Sequence, residues 1–179
     1  MPKNSKGVSI MKFSEFLKTR EEIRNNLKKE SEYLRKKNMA TLCKMLAETL
    51  KDPSTWDDAS RTEISLALKI NKDASNKIHN FRESITPQTD NKSYYKFPVK
   101  VTKVIESESG LLSPREHDID CMLEVRYPLY SLNLDSEQSI IFTFLFQENI
   151  SELDVDNVID ASSKYLEDKS DEMLKDIVK

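Results

Sequence analysis

The sequence predicts an α+β fold, in which a helical N-terminal region is followed by a three-stranded antiparallel sheet with C-terminal helices. Residues 12–51 contain neither glycine nor proline and space their apolar side chains three and four apart, which is typical of a helix. After residue 93, apolar and polar residues alternate, as in a strand with one buried face. Residues 139–147 form the longest apolar stretch and are rich in β-branched and aromatic side chains, which indicates a central strand covered on both faces.

The chain divides into four segments on the same evidence. Residues 1–10 are polar and are expected to be disordered, and residues 11–85 form the helical region. Residues 86–93 contain Pro87 and show no apolar periodicity, which favours a linker. Residues 94–179 hold the antiparallel sheet and the C-terminal helices.

The first predicted helix begins near Ser14, a residue type suited to an N-cap, and ends near residues 36–38, where two lysines precede an asparagine. A second helix is expected over residues 39–50. The first helix carries a narrow apolar seam that Arg20 and Glu30 interrupt. The seam consists of Phe13, Phe16, Ile23, Leu27 and Leu34. Such a seam either packs in the core of its own domain or pairs with a helix of another molecule.

Residues 60–63 read Ser-Arg-Thr-Glu, a capping box, so a short helix is predicted from there to about Ile70. A further helix is predicted from Asp73 to about Ser84. Together these helices resemble a helix-turn-helix over residues 63–81, although a simple helical hairpin gives the same pattern. In the DNA-binding interpretation, the residues that face the groove are Asn71, Ser75, Asn76 and Lys77.

Three strands are predicted in the second half of the chain, at residues 97–105, 121–127 and 138–147. Pro98 lacks an amide donor, which places the first of them at a sheet edge. The charged residues 106–119 are expected to form a long loop. Short connections between successive strands indicate antiparallel pairing. Residues 151–179 return to helical spacing.

Several classes of activity have no support in the sequence. The chain has only two glycines, so phosphate-binding and dinucleotide-binding loops are excluded. His79 and His117 stand in no pattern that pairs a nucleophile with a base, and Cys43 and Cys121 have no metal-ligand spacing. We therefore expect a protein that is not an enzyme, without catalytic, cofactor-binding or metal-binding residues. Both cysteines are expected to be free and buried.

Charge is divided unevenly along the chain. Residues 1–50 hold 12 basic and 6 acidic side chains, whereas residues 105–179 hold 6 basic and 18 acidic ones. The basic half could contact the acidic half of the same molecule, another copy or a different polyanion. The residues predicted to bind a partner lie on the first helix and are Lys18, Arg24, Lys28, Lys29, Arg35, Lys36 and Lys37.

The sequence shows neither a signal peptide nor a run of apolar residues long enough to cross a membrane, so a cytoplasmic protein without membrane contact is expected. We predict a non-enzymatic cytosolic accessory protein that acts by macromolecular contact, as a subunit or inhibitor in a larger assembly. A protein partner or self-association is expected. The alternative is a DNA-binding regulator that uses residues 63–81, so nucleic acid is a second candidate partner.

Overall fold

The computed structural model describes residues 2–85, 94–105, 115–127 and 139–178. Within these ranges the chain forms three α-helices and five β-strands, which confirms the α+β class. In chain order the elements are α1 (Pro2–Lys51), a short 3-10 turn (Pro53–Thr55), β1 (Trp56–Arg61), β2 (Ser65–Ile70), α2 (Lys72–Ile85), β3 (Tyr94–Ile105), β4 (Arg115–Arg126), β5 (Ile141–Phe146) and α3 (Val155–Val178).

The five strands form one antiparallel sheet in the order β1-β2-β5-β4-β3. The prediction of three strands is therefore wrong, because β1 and β2 come from the region expected to be helical. Residues 65–70 alternate buried and half-buried side chains, and Leu68 lies opposite Phe142 of β5. This period of two, together with burial against β5, overrides the capping-box signal. The Thr62 hydroxyl instead accepts from the Ser65 amide at 3.0 Å and closes the hairpin between β1 and β2.

β5 is the central strand of the sheet, as predicted. Phe142 and Phe144 are fully buried on one face, where the helices cover the sheet. On the other face Ile141 is 38 % exposed and Leu145 is 43 % exposed. The prediction that both faces are covered is therefore wrong, because an antiparallel sheet can leave one face in solvent and the described helices pack on one side.

The N-terminal helical region is one continuous helix rather than two, so the break predicted at residues 36–38 is wrong. No glycine or proline occurs between residues 8 and 52, so nothing in the backbone interrupts the i→i−4 hydrogen bonds. The helix also extends back to Pro2, through residues expected to be disordered. The predicted linker at residues 86–93 lies outside the described residues, and the sheet takes strands from both sides of it.

The C-terminal region is also a single helix, α3, where more than one was predicted. Ser170 of α3 is buried, and its hydroxyl donates to the Ala40 carbonyl of α1 at 2.7 Å. Small side chains allow this close helix contact, since Cys43 and Ala47 of α1 are fully buried. The second half of α1 is thereby anchored on the domain through α3 and the covered face of the sheet.

Candidate interaction surface

Residues 13–38 of α1, here called the projecting segment, pack little against the other described parts of the chain. Every side chain from residue 13 to residue 33 is exposed, Leu34 is half-buried, and Ala40 is the first that is fully buried. At about 1.5 Å per residue, the projecting segment is about 38 Å long. The chain therefore uses the second half of α1 for its core and presents the first half to its surroundings.

The predicted apolar seam runs along the projecting segment. Phe13 is 71 % exposed, Phe16 60 %, Ile23 54 % and Leu27 61 %. The interpretation of these four residues as core is wrong, because no described element lies against them. Large apolar side chains that share one helix face and remain exposed are typical of a surface that binds another macromolecule.

The seven basic residues predicted to bind a partner are also exposed. Within the described part of the chain, none of them forms an ion pair with an acidic side chain. At 100° per residue, Lys18, Lys29 and Lys36 lie on the face of the helix opposite Leu27. The other four basic residues lie on the flanks of the seam, where a partner bound to the seam can reach them, and they are Arg24, Lys28, Arg35 and Lys37.

The residues predicted to face DNA do not form a common surface. Asn71 caps α2: its Oδ1 accepts from the Ala74 amide at 2.9 Å, and its Nδ2 donates to the Ser54 carbonyl at 2.9 Å. Ser75 is fully buried, Asn76 is half-buried and Lys77 is exposed. The first helix of the predicted helix-turn-helix is strand β2, so that motif is wrong as a description of this segment.

Ser75 has a structural role that the sequence did not reveal. Its hydroxyl donates to the Ile70 carbonyl at 3.3 Å and accepts from the Ile140 amide at 3.0 Å. It therefore links the end of β2 to the start of β5 beneath the N-terminal turn of α2. Ser75 and Ile140 are 65 positions apart along the chain, and no local sequence pattern predicts their contact.

A buried aromatic cluster holds α2 against β3 and β4. The guanidinium carbon of Arg82 lies 3.5 Å from the centroid of the Tyr127 ring, and the Tyr95 ring meets Tyr127 edge-on at 5.7 Å. Burial raises the pKa of the Tyr127 hydroxyl, with the positive charge of Arg82 opposing the shift. The phenol is therefore neutral at physiological pH, and the cluster contributes packing and cation–π attraction.

The cysteines are free and buried, as predicted. Desolvation raises the pKa of Cys43 to about 11 and that of Cys121 to about 12, so neither thiol is a nucleophile near neutral pH. The Nε2 of His117 lies 3.0 Å from a carboxylate oxygen of Glu148 at an exposed site. Among the residues that the structure describes, no group of three or more His, Cys, Asp or Glu side chains is placed to hold a metal ion.

A second exposed apolar area lies on the uncovered side of the sheet, here called the open face. Pro98, Met122 and Leu145 stand side by side on β3, β4 and β5. They line a shallow cavity of about 310 Å³ with Lys100 and Asp120 at its border. Sequence reasoning missed this area, although Met122 and Leu145 occupy strand positions where a solvated face normally carries polar side chains.

Comparison with known proteins finds no matching family model, no matching curated protein and no matching solved structure. In the described ranges, no helix combines the length and the apolar content needed to cross a membrane. The function must therefore be argued from the chain's own residues.

Proposed function

We propose that this chain is a non-enzymatic cytoplasmic accessory protein that acts by macromolecular contact, as a subunit or inhibitor in a larger assembly, through the projecting segment. The observation that supports this most directly is the exposure of Phe13, Phe16, Ile23 and Leu27 along one helix face. Exposed apolar area of this kind is unfavourable in water, and a partner that covers it removes this cost in free energy.

The charge around the seam indicates what the partner offers. The basic side chains on the flanks of the seam, Arg24, Lys28, Arg35 and Lys37, are all exposed. A protein surface that combines an apolar groove with acidic residues at its border fits this helix, because opposite charges steer the encounter and select the register. An α1 helix anchored through its second half can present its first half to such a partner without unfolding.

Charge reversal at three basic residues on the flanks of the seam, Lys28→Glu, Arg35→Glu and Lys37→Glu, tests this function. We expect the triple variant to lose its association while the far-ultraviolet circular dichroism stays that of the parent, because all three side chains are exposed. Association of the parent should also weaken between about 0.1 M and about 1 M salt, since the Debye length falls from about 10 Å to about 3 Å. Sedimentation velocity on the full chain, with and without partner, measures both effects.

The matched control reverses three exposed lysines outside the projecting segment, at Lys44, Lys72 and Lys77. This variant changes the net charge by the same amount and should associate like the parent. Equal losses in both variants would point to unspecific charge attraction and contradict the proposal. A parent chain that stays monomeric at every salt concentration and retains no partner would contradict it as well.

A further inference from the structure

The charges of the projecting segment are arranged antisymmetrically about Asn25. All five acidic side chains between residues 13 and 38 stand at the same distance from residue 25 as a basic side chain on the other side. The pairs related in this way are Glu15 with Arg35, Lys18 with Glu32, Arg20 with Glu30, Glu21 with Lys29 and Glu22 with Lys28. Reversing the direction of the helix therefore places every acid level with a base. At 100° per residue, however, only Arg20 and Glu30 lie on the apolar seam, and the other four pairs lie outside it, on the flanks or on the side of the helix that faces away from a partner bound there.

Four of the five apolar residues of the seam have the same symmetry, and the fifth, Phe13, is level with Lys37. Ile23 and Leu27 are equidistant from residue 25, and so are Phe16 and Leu34. The seam positions alternate in steps of three and four from residue 13 to residue 34, which is the spacing of a coiled coil. Arg20 and Glu30 occupy two of these positions. These two polar residues of the seam are therefore equidistant from residue 25 as well.

The two halves of this pattern cannot meet within one molecule, because the structure has a single unbroken helix from Pro2 to Lys51. We propose that the projecting segment pairs with the same segment of a second copy, antiparallel, with the two-fold axis at Asn25. Arg20 of each copy then faces Glu30 of the other, and Ile23 packs against Leu27. This inference rests on the proposed function and keeps the apolar seam as its contact. It names the partner as a second copy of this chain, in which Glu30 supplies the acidic side chain opposite Arg20 in place of an acidic groove.

Parallel pairing is disfavoured by the same residues. It would place Arg20 against Arg20 and Glu30 against Glu30 within the apolar seam, and like charges at a desolvated contact oppose association. The antiparallel arrangement replaces both contacts with opposite-charge pairs, and each pair occurs twice because the interface is isologous. Arg24 approaches its own counterpart near the axis, where its long side chain can extend into solvent.

Exchange of the two seam charges provides the test. The single variants Arg20→Glu and Glu30→Arg should each weaken the dimer at least about tenfold. Each variant disrupts both Arg20–Glu30 pairs of the symmetric dimer, and each disrupted pair should raise the dissociation constant about threefold. The double variant should return to within about threefold of the parent, because it restores opposite charges with their positions exchanged. Sedimentation equilibrium on the full chain at about 0.1 M salt gives the dissociation constants. Lys44→Glu, on the anchored half of α1, is the control and should leave the dimer unchanged.

Three outcomes would overturn the antiparallel dimer. The double variant could stay as weak as the single variants, or the parent could remain monomeric up to about 1 mM. Alternatively, a dimer insensitive to Arg20 and Glu30 could be lost on Leu145→Glu, which would assign self-association to the open face. If the chain is monomeric but reversing the charge of Lys28, Arg35 and Lys37 still abolishes binding of a different protein partner, the proposed function stands and this inference fails. Trp56 fluorescence confirms that each variant remains folded.

Discussion

Replacing Phe144 with alanine measures how much the covered face of the sheet contributes to stability. Phe144 is fully buried in β5 and lies between Leu66 of β2 and Leu123 of β4, both of which are buried. Truncation removes a fully buried ring and leaves a cavity beside these two neighbours. A loss of about 3–5 kcal/mol in the free energy of unfolding is expected. For a chain of this size, that corresponds to a fall of roughly 6–20 °C in Tm.

Leu145→Ala is the matched control, since it changes the next residue of the same strand on the open face. Leu145 is 43 % exposed, so its truncation should cost less than about 1 kcal/mol. Urea unfolding, followed by the fluorescence of the single tryptophan at residue 56 and by circular dichroism, measures both variants. Protein concentration is held constant, because association would add to the apparent stability.

Equal losses for Phe144→Ala and Leu145→Ala would refute the reasoning, because they would mean that both faces of β5 are covered in solution. A Phe144 variant that unfolds within a degree or two of the parent would refute the central-strand assignment itself. A change in the urea dependence of the unfolding free energy, rather than in the midpoint, would indicate an altered unfolded state and not a lost contact.

Two further predictions concern buried polar groups. Ser75→Ala should destabilise the fold by about 1–3 kcal/mol in urea unfolding, because the Ile140 amide loses its hydrogen bond. Ser162→Ala is the control and should change stability by less than about 0.5 kcal/mol, since the buried Ser162 hydroxyl has no partner among the described residues. The free energy of unfolding should fall as pH rises from 8 to 10, because the two cysteine thiols ionise in the unfolded chain but keep their protons in the folded state. Their pKa is 9.0 in the unfolded chain, whereas in the folded state it is about 11 for Cys43 and about 12 for Cys121. The double alanine variant at these cysteines should flatten that dependence, and an unchanged slope would contradict the assignment of the pH effect to the thiols.

The local sequence pattern predicted the secondary structure correctly where the apolar side chains followed a single period. The 3-4 spacing of residues 12–51 predicted helix, and the alternation after residue 93 predicted the edge strand that contains Pro98. The alternation over residues 121–127 identified β4 only in part, because β4 begins at Arg115 and the loop predicted over residues 106–119 is wrong at residues 115–119. The apolar content of residues 139–147 identified the central strand. These features depend on residues within a few positions of each other, which is the range over which hydrophobic periodicity carries information.

Local pattern failed where two signals competed. Residues 60–70 carry a capping box and also a six-residue alternation, and only the contact of Leu66 and Leu68 with β5 decides that they form a hairpin. The predicted DNA-facing residues failed with them, because Ser75 turns inward to Ile140, at the start of a strand 65 positions further along the chain. The sequence of residues 60–70 is compatible with both helix and strand, and pairing with a distant strand decides between them.

The sequence by itself determined the composition of the candidate interface: the basic side chains, the interrupted apolar seam and the antisymmetry of charge about Asn25 are all present in the order of residues 13–38. Only the tertiary structure decided that this seam is available to a partner. The second half of α1 buries Leu42, Leu46 and Leu50 against the domain and anchors the helix, while the first half remains exposed among the elements that the structure describes. The two halves have similar helical periodicity, and burial depends on where α3 and the sheet end in space.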